Sequence, residues 1–207
     1  MMMDKVELRA FTFEVRAEQD ENHGNILTGR PIVYDSRTDL GWYDEIIENG
    51  ALADTDLRDV RFLVNHNTDM IPLARSRNNN VNSTMQMSID DEGMVIRVDL
   101  DVENNSEAKN LYSAVERGDI DGMSFMFTVD GDRWDDIDSE HPVRTITSIN
   151  RVLEVSAVTF PAYQATSISA RGLDSALDNA KSSLESVKAE ARARELKKQK
   201  IRILSEV

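Results

Sequence analysis

The stretch Asp91-Glu92-Gly93-Met94-Val95-Ile96-Arg97-Val98-Asp99-Leu100 decides the class of fold. Met94, Ile96, Val98 and Leu100 recur at period two, which places them on one side of a strand. Asp91-Glu92-Gly93 supplies a turn before it, and Val81 to Ile89 is the natural antiparallel partner, so the segment reads as a hairpin. The same period appears elsewhere in the chain. Val60, Phe62, Val64 and His66 share a face, and Leu8 to Val15, Ile26 to Tyr34, Ile120 to Val129, Val143 to Ile149 and Val152 to Thr159 read as further strands. That many short strands predict a barrel or a sandwich.

Helical signals interrupt the sheet. Asn105-Ser106-Glu107 opens a segment in which Ala108, Leu111, Tyr112 and Val115 follow the i, i+3, i+4, i+7 rule, and Gly118 stops it. A shorter helical turn is expected from Gly50 through Leu57, and loops at Asn78-Asn79-Asn80 and from Asp130 to His141. After Ala170 the pattern becomes one long helix: Leu173, Leu177, Ala180, Leu184, Val187 and Ala191 step by four and three. A docked amphipathic helix and a coiled coil both produce this stripe. It weakens where Arg194 takes the next heptad place, and the basic end from Arg192 to Arg202 reads as exposed or partner-seeking.

At 207 residues the chain holds one domain and an appendage, here divided as 1–170 and 171–207. Its 24 basic and 38 acidic residues give a net charge of −14. The tail carries nine basic and six acidic residues, which leaves 15 basic and 32 acidic residues, a net −17, on the body. A body that acidic repels phosphate backbones, so nucleic acid is not an expected partner. A basic tail beside an acidic body suits self-association between copies. No run of about 18 apolar residues is present, and the start lacks a basic-then-apolar leader, so a cytosolic protein without a membrane partner is expected. The absence of cysteine excludes disulfides, thiolate metal sites and cysteine nucleophiles together.

Three segments remain for chemistry. His66 lies at a strand end between Asn65 and Asn67, where a side chain can emerge into a cleft, although a surface or capping histidine reads the same way alone. Ser124 sits inside the apolar run Gly122-Met123-Ser124-Phe125-Met126-Phe127, on the face of Ile120, Gly122 and Met126. A buried serine ordinarily bonds to backbone, yet Gly122 leaves room on this serine's own face. Glu154 lies among small and apolar residues from Val152 to Phe160 and needs a cation or donor there. Arg144 and Arg151 are the plain partners, and an imidazole that gains charge during catalysis is the chemically informative one. His23, His66 and His141 have no zinc-binding spacing, and no phosphate-binding glycine loop occurs, so neither a metal nor a nucleotide cofactor is expected.

In order, these segments resemble the prohead, or head maturation, protease family of tailed bacteriophages. The blocks are Thr28-Gly29-Arg30-Pro31-Ile32-Val33-Tyr34, then Glu45-Ile46-Ile47-Glu48-Asn49-Gly50-Ala51-Leu52, then Val64-Asn65-His66-Asn67, the Asp91 to Leu100 hairpin, Ile120 to Phe127, and Leu153 to Tyr163. Asn49, Ala74 and Met126 depart from the family's usual proline, glycine and glycine, and Met126 is placed to narrow a subsite. The resemblance implies an α+β fold similar to the herpesvirus assembly protease: a small closed or nearly closed antiparallel β-barrel wrapped by helices, here with a C-terminal amphipathic helix. It implies a serine endopeptidase with Ser124 as nucleophile, His66 as base and Glu154 as third member. Its targets would be the scaffold protein, the scaffolding segment of the major capsid protein, and itself, inside the immature capsid in the host cytoplasm. The loop after Phe160 is the expected source of oxyanion donors. Two other readings stand beside it: a non-enzymatic scaffold or assembly protein, favoured by the heptad stripe and charge, and a small-molecule-binding β-barrel.

Overall fold

In the computed structural model, which describes residues 6–11, 15–20, 24–159 and 170–205, apolar alternation becomes strand over most of the chain. In order these are β1 (Val6–Phe11), β2 (Val15–Asp20), β3 (Gly24–Val33), β4 (Thr38–Asp39), β5 (Asp44–Ile47), β6 (Asp59–Val64), β7 (Ala74–Arg77), β8 (Met85–Asp90) and β9 (Gly93–Leu100). Helix α1 (Ser106–Glu116), strands β10 (Gly122–Asp135) and β11 (Val143–Val158), and helix α2 (Ala170–Ser205) come next. The hairpin forms as read, with Asp90 opposite Gly93 and Ile89 opposite Met94, although its first strand begins at Met85 and Val81 is exposed. Gly93 is required there: its φ is +138°, and a Cβ would lie 2.1 Å from the Ile32 carbonyl oxygen.

The class is α+β, but the strands do not close into one antiparallel barrel. Seven form a sheet in the order β1-β10-β11-β5-β4, with β6 also on β11 and β7 on β6, and four form a second sheet, β2-β3-β9-β8. The reason lies in β11, which is long enough to hold two partners along one edge. Its first part pairs with β5 and its last part with β6, both parallel. Between the sheets the described backbone bonds lie at strand ends, among them Val15 N–H to the Asp121 carbonyl at 3.4 Å, Asp35 N–H to the Ile47 carbonyl at 2.8 Å and Arg75 N–H to Thr84 Oγ1 at 2.9 Å. Side-chain packing closes the gap instead. One core draws Ile32, Phe62, Met94, Ile96, Val98, Phe125, Phe127 and Val155 from the two sheets, which is where the transfer free energy of burial is concentrated.

α1 fulfils its sequence pattern. Asn105 caps it by accepting from the Glu107 and Ala108 N–H groups, and Ala108, Leu111, Tyr112 and Val115 are its buried face. Elsewhere the boundaries differ from expectation. β10 runs on to Asp135, the two segments expected at 143–149 and 152–159 are one strand, and Leu8 to Val15 splits into β1 and β2. The helical turn after Gly50 is a series of tight turns, with Ala51 N–H on Glu48, Ala53 N–H on Gly50 and Thr55 N–H on Leu52. α2 packs on β1 and sets buried Ala180 and Leu184 against Tyr43 and Trp134, whereas 189–201 are exposed. No helix among the described residues is long and apolar enough to cross a membrane.

Candidate active site

β11 organises the site. It lies between β10 and β6, so residues remote in sequence meet across it. Ser124 stands opposite Ser156, and Met126 opposite Glu154. Paired residues of neighbouring strands project to one face, so Ser124, Ser156, Met126 and Glu154 share a side, while Met123, Phe125, Val155 and Ala157 enter the core. The register skips Leu153 between the Met126–Glu154 and Phe127–Val152 pairs. This bulge beside Glu154 re-aims the strand where the carboxylate projects.

His66 arrives differently from the expectation. β6 ends at Val64, and Asn65 and His66 both adopt left-handed backbone, with φ of 50° and 55°. The alternation that would put His66 on Val64's face therefore stops before it. The hook is held by Asn65 N–H to the Ala157 carbonyl at 3.0 Å, by two bonds between the Asn65 amide and Thr159, and by His66 N–H to Ser156 Oγ at 3.2 Å. Its effect is to bring the imidazole to the carboxylate: His66 Nδ1 lies 2.5 Å from Glu154 Oε1, and Ser156 Oγ donates to Glu154 Oε2, also at 2.5 Å. The His66 side chain is 8% exposed and that of Glu154 4%.

Of the partners foreseen for Glu154, the imidazole is the one found. Arg151 lies by Asp56, and Arg144 bonds Glu7, Glu45 and Asp132. Ser124 is fully buried, and its hydroxyl donates to the Arg9 carbonyl at 2.6 Å, on the β1 side, rather than to His66. His66 Nε2, buried, has no hydrogen-bond partner among the described residues. Thus the structure joins His66 to Glu154 and places Ser124 on the adjoining strand with its hydroxyl engaged elsewhere.

Comparison with known proteins bears on most of the chain. The sequence profile of the caudovirus prohead serine proteases matches residues 11–181, a span that takes in all three candidate residues. The chain belongs to that family. It is a serine protease of the kind that acts in phage capsid maturation. No curated protein matches it. Among solved structures it is similar to the capsid assembly protease of bacteriophage T4, at 11% identity and a TM-score of 0.37, over 73% of this chain and 98% of that one.

The protease also carries features that sequence reading did not find. Glu7, Arg9, Glu45 and Arg144 form a buried ionic cluster behind β1. Arg9 bonds Glu45 through Nε and, at 2.7 Å, Glu7 through Nη2, and Arg144 Nη1 reaches Glu7 at 2.7 Å. Burial would push the Glu7 carboxyl up, but Arg9 and Arg144 together hold it below its ordinary range. Burial would likewise lower Arg9, yet Glu45 and its other neighbours keep it well above its usual value. Alternating Glu7 and Arg9 on one strand was the available signal, but a surface strand shows the same alternation.

Two further places could receive a ligand. Residues on either side of His66, namely Val64, Asn65 and Asn67, join Met70, Glu107, Asn110, Leu111, Ala114 and Ile120 around a groove of about 440 Å³ whose surface is mainly apolar. Asp39, Asp44 and His141 bring ligand-type atoms within 4.8 Å, but Asp44 already pairs with His141 at 3.0 Å and Arg37 at 2.5 Å. The hydrogen bond from His141 and the ion pair with Arg37 account for that cluster, and His141 is itself exposed. His23 and the loop after Phe160 lie outside the described residues.

Proposed function

We propose that the protease hydrolyses peptide bonds with Ser124 as nucleophile, His66 as general base and Glu154 as the carboxylate that holds the base in its working tautomer. The observation that carries this reading is the 2.5 Å contact between His66 Nδ1 and buried Glu154. An ionised carboxylate only accepts, so the Nδ1 atom carries the ring proton and Nε2 keeps its lone pair for a substrate-side proton. Nε2 is the atom left without a partner among the described residues.

In this mechanism the first event is an exchange of acceptor by Ser124. Its hydroxyl leaves the Arg9 carbonyl and turns by one staggered step, roughly 120°, away from β1 toward β11. His66 then takes the hydroxyl proton as Oγ bonds to the scissile carbonyl carbon, and Glu154 supports the imidazolium. His66 returns the proton to the leaving amine as the C–N bond breaks, and water repeats the sequence to release the acyl group. The resting form is the one with its nucleophile buried and diverted, which suits an enzyme that must not cut before a capsid shell has assembled.

The substrates proposed are the scaffold protein, the scaffolding segment of the major capsid protein, and the protease's own chain, inside the immature capsid in the host cytoplasm. The groove flanking His66 takes an apolar side chain of the cut segment. Residues 1–170 carry the chemistry, and 171–207 serve as a tail whose exposed end pairs with scaffold or a second copy. Purified Ser124→Ala mixed with the capsid and scaffold proteins tests the assignment. Loss of all fragments with an unchanged fold is expected, and retained cleavage eliminates Ser124.

A further inference from the structure

We propose that Ser156 is a positioning residue of the site: one buried hydroxyl that fixes both the carboxylate of Glu154 and the backbone of His66. This rests on the assignment of His66 and Glu154 as base and acid, and it adds a residue that assignment does not include.

β11 pairs with β10 on one side and β6 on the other at Ser156, opposite Ser124 and Leu63. The ladder thus satisfies the strand's own backbone, and the side-chain hydroxyl is not needed for it. A serine hydroxyl offers one donor and two acceptor positions. Here the donor goes to Glu154 Oε2 at 2.5 Å, and an acceptor position receives His66 N–H at 3.2 Å. Ser156 is fully buried, so neither bond is shared with water.

Each bond answers a specific need. Glu154 uses Oε1 on the imidazole, and a carboxylate held by one oxygen can still rotate about its terminal torsion. The Ser156 bond to Oε2 removes that rotation and keeps Oε1 aimed at Nδ1. His66, for its part, has a φ of 55°, a conformation that a residue with a Cβ adopts at a cost and only when its surroundings hold it. The Asn65 bonds to Ala157 and Thr159 hold the residue before it. The bond that holds the His66 amide itself is the one to Ser156. A single side chain therefore sets the base and its supporting acid relative to each other.

Ser156 is not a second nucleophile. Its proton is directed at a carboxylate, while the imidazole nitrogen near that carboxylate is Nδ1, which in this arrangement is a donor. The base that its proton meets is a carboxylate already committed to the imidazole, and Nδ1 is not free to take that proton.

The test uses full-length wild type, Ser156→Ala, Ser156→Thr and Ser124→Ala, with a biotinylated fluorophosphonate as probe. Alanine fits the space without a clash, and threonine restores the hydroxyl. Losing a hydrogen bond to a charged group reads as roughly a 10- to 100-fold fall in the maximal labelling rate. The half-saturating probe concentration should stay within about twofold, because positioning acts on the reaction step. In proton NMR of the resting protein, the deshielded His66 Nδ1 proton should shift or broaden in Ser156→Ala and return in Ser156→Thr. That signal does not depend on access to Ser124 or on threonine's added methyl being accommodated at labelling. A Ser156→Ala protein with an unmoved proton and a labelling rate within about twofold of wild type overturns the proposal. Label recovered on the Ser156 peptide overturns it as well. Failure of the underlying assignment shows differently, as label that persists in Ser124→Ala.

Discussion

Replacing Glu154 with glutamine keeps the volume of the side chain and removes one acceptor, and the surrounding geometry dictates the consequences. Both carboxylate oxygens are occupied by donors, His66 Nδ1 at 2.5 Å and Ser156 Oγ at 2.5 Å. An amide can present its oxygen to only one of them. If the NH2 group faces His66, Nδ1 must become the acceptor, the ring proton moves to Nε2, and the base is lost. A wrong tautomer of this kind costs a rate factor of about 10⁴, or about 5 kcal/mol. If the NH2 faces Ser156, that hydroxyl already accepts the His66 N–H. It must then accept twice and leave its own proton buried, a cost of about 1–3 kcal/mol, and the imidazolium loses its counter-charge. Either way the chemistry suffers more than the fold, because the amide also relieves the desolvation of a buried charge. Fluorophosphonate labelling and cleavage of capsid and scaffold proteins, read beside a denaturation curve, measure both. A Glu154→Gln protein that keeps more than about a tenth of the wild-type rate would refute the reasoning, since less than about 1.4 kcal/mol would then rest on the carboxylate.

The cluster behind β1 sets an acid limit to stability. Glu7 has a folded pKa below its ordinary value of 4.5, so its contribution is present above that value and is lost as pH falls through the lower, folded one. Urea unfolding should show a plateau above about pH 5 and a decline below about pH 4. Glu7→Gln should cost about 3–5 kcal/mol at neutral pH, by leaving Arg9 and Arg144 under-compensated, and should flatten the acid decline. A variant as stable as wild type at neutral pH would show that the cluster contributes nothing. For the groove, Ala114→Phe places a ring among Val64, Leu111 and Ile120. It should raise KM for protein substrates several-fold with kcat nearly unchanged, as expected when uniform binding is removed. An unaltered KM would place the substrate side chain elsewhere.

Much of this protein was legible as local pattern. The β8–β9 hairpin, the Asn105-capped helix with Ala108, Leu111, Tyr112 and Val115 inward, and the two faces of the Ser124 strand all derive from periodicity and turn chemistry. These are short-range properties, fixed by backbone geometry within a few residues. The need of Glu154 for a partner was legible as well, because an ionised group among apolar neighbours cannot stay unpaired. Which partner it takes was not. The residues themselves left Arg144, Arg151 and His66 open, and only the family resemblance pointed to His66; in the fold His66 reaches Glu154 because β6 lies parallel beside β11 and then breaks into left-handed backbone. Asn and His enter that region more readily than most residues, but propensity does not say which of them will; here the bonds to Ala157, Thr159 and Ser156 decide it.

The same distinction separates one barrel from two sheets. Strand content was determined by the sequence, whereas the sharing of one edge of β11 between β5 and β6 depended on how far a single strand runs before it bends. Residue types and their order determined that an alcohol, an imidazole and a carboxylate were present in a chain of prohead protease type. Only the folded chain decided that the imidazole leans on the carboxylate, that Ser156 holds both, and that the hydroxyl of Ser124 rests on the Arg9 carbonyl. Those contacts span 88, 90 and 115 residues of sequence, apart from the local one between Ser156 and Glu154. Hydrogen bonds at such separations are chosen by strand register, which is set by the packing of the entire sheet.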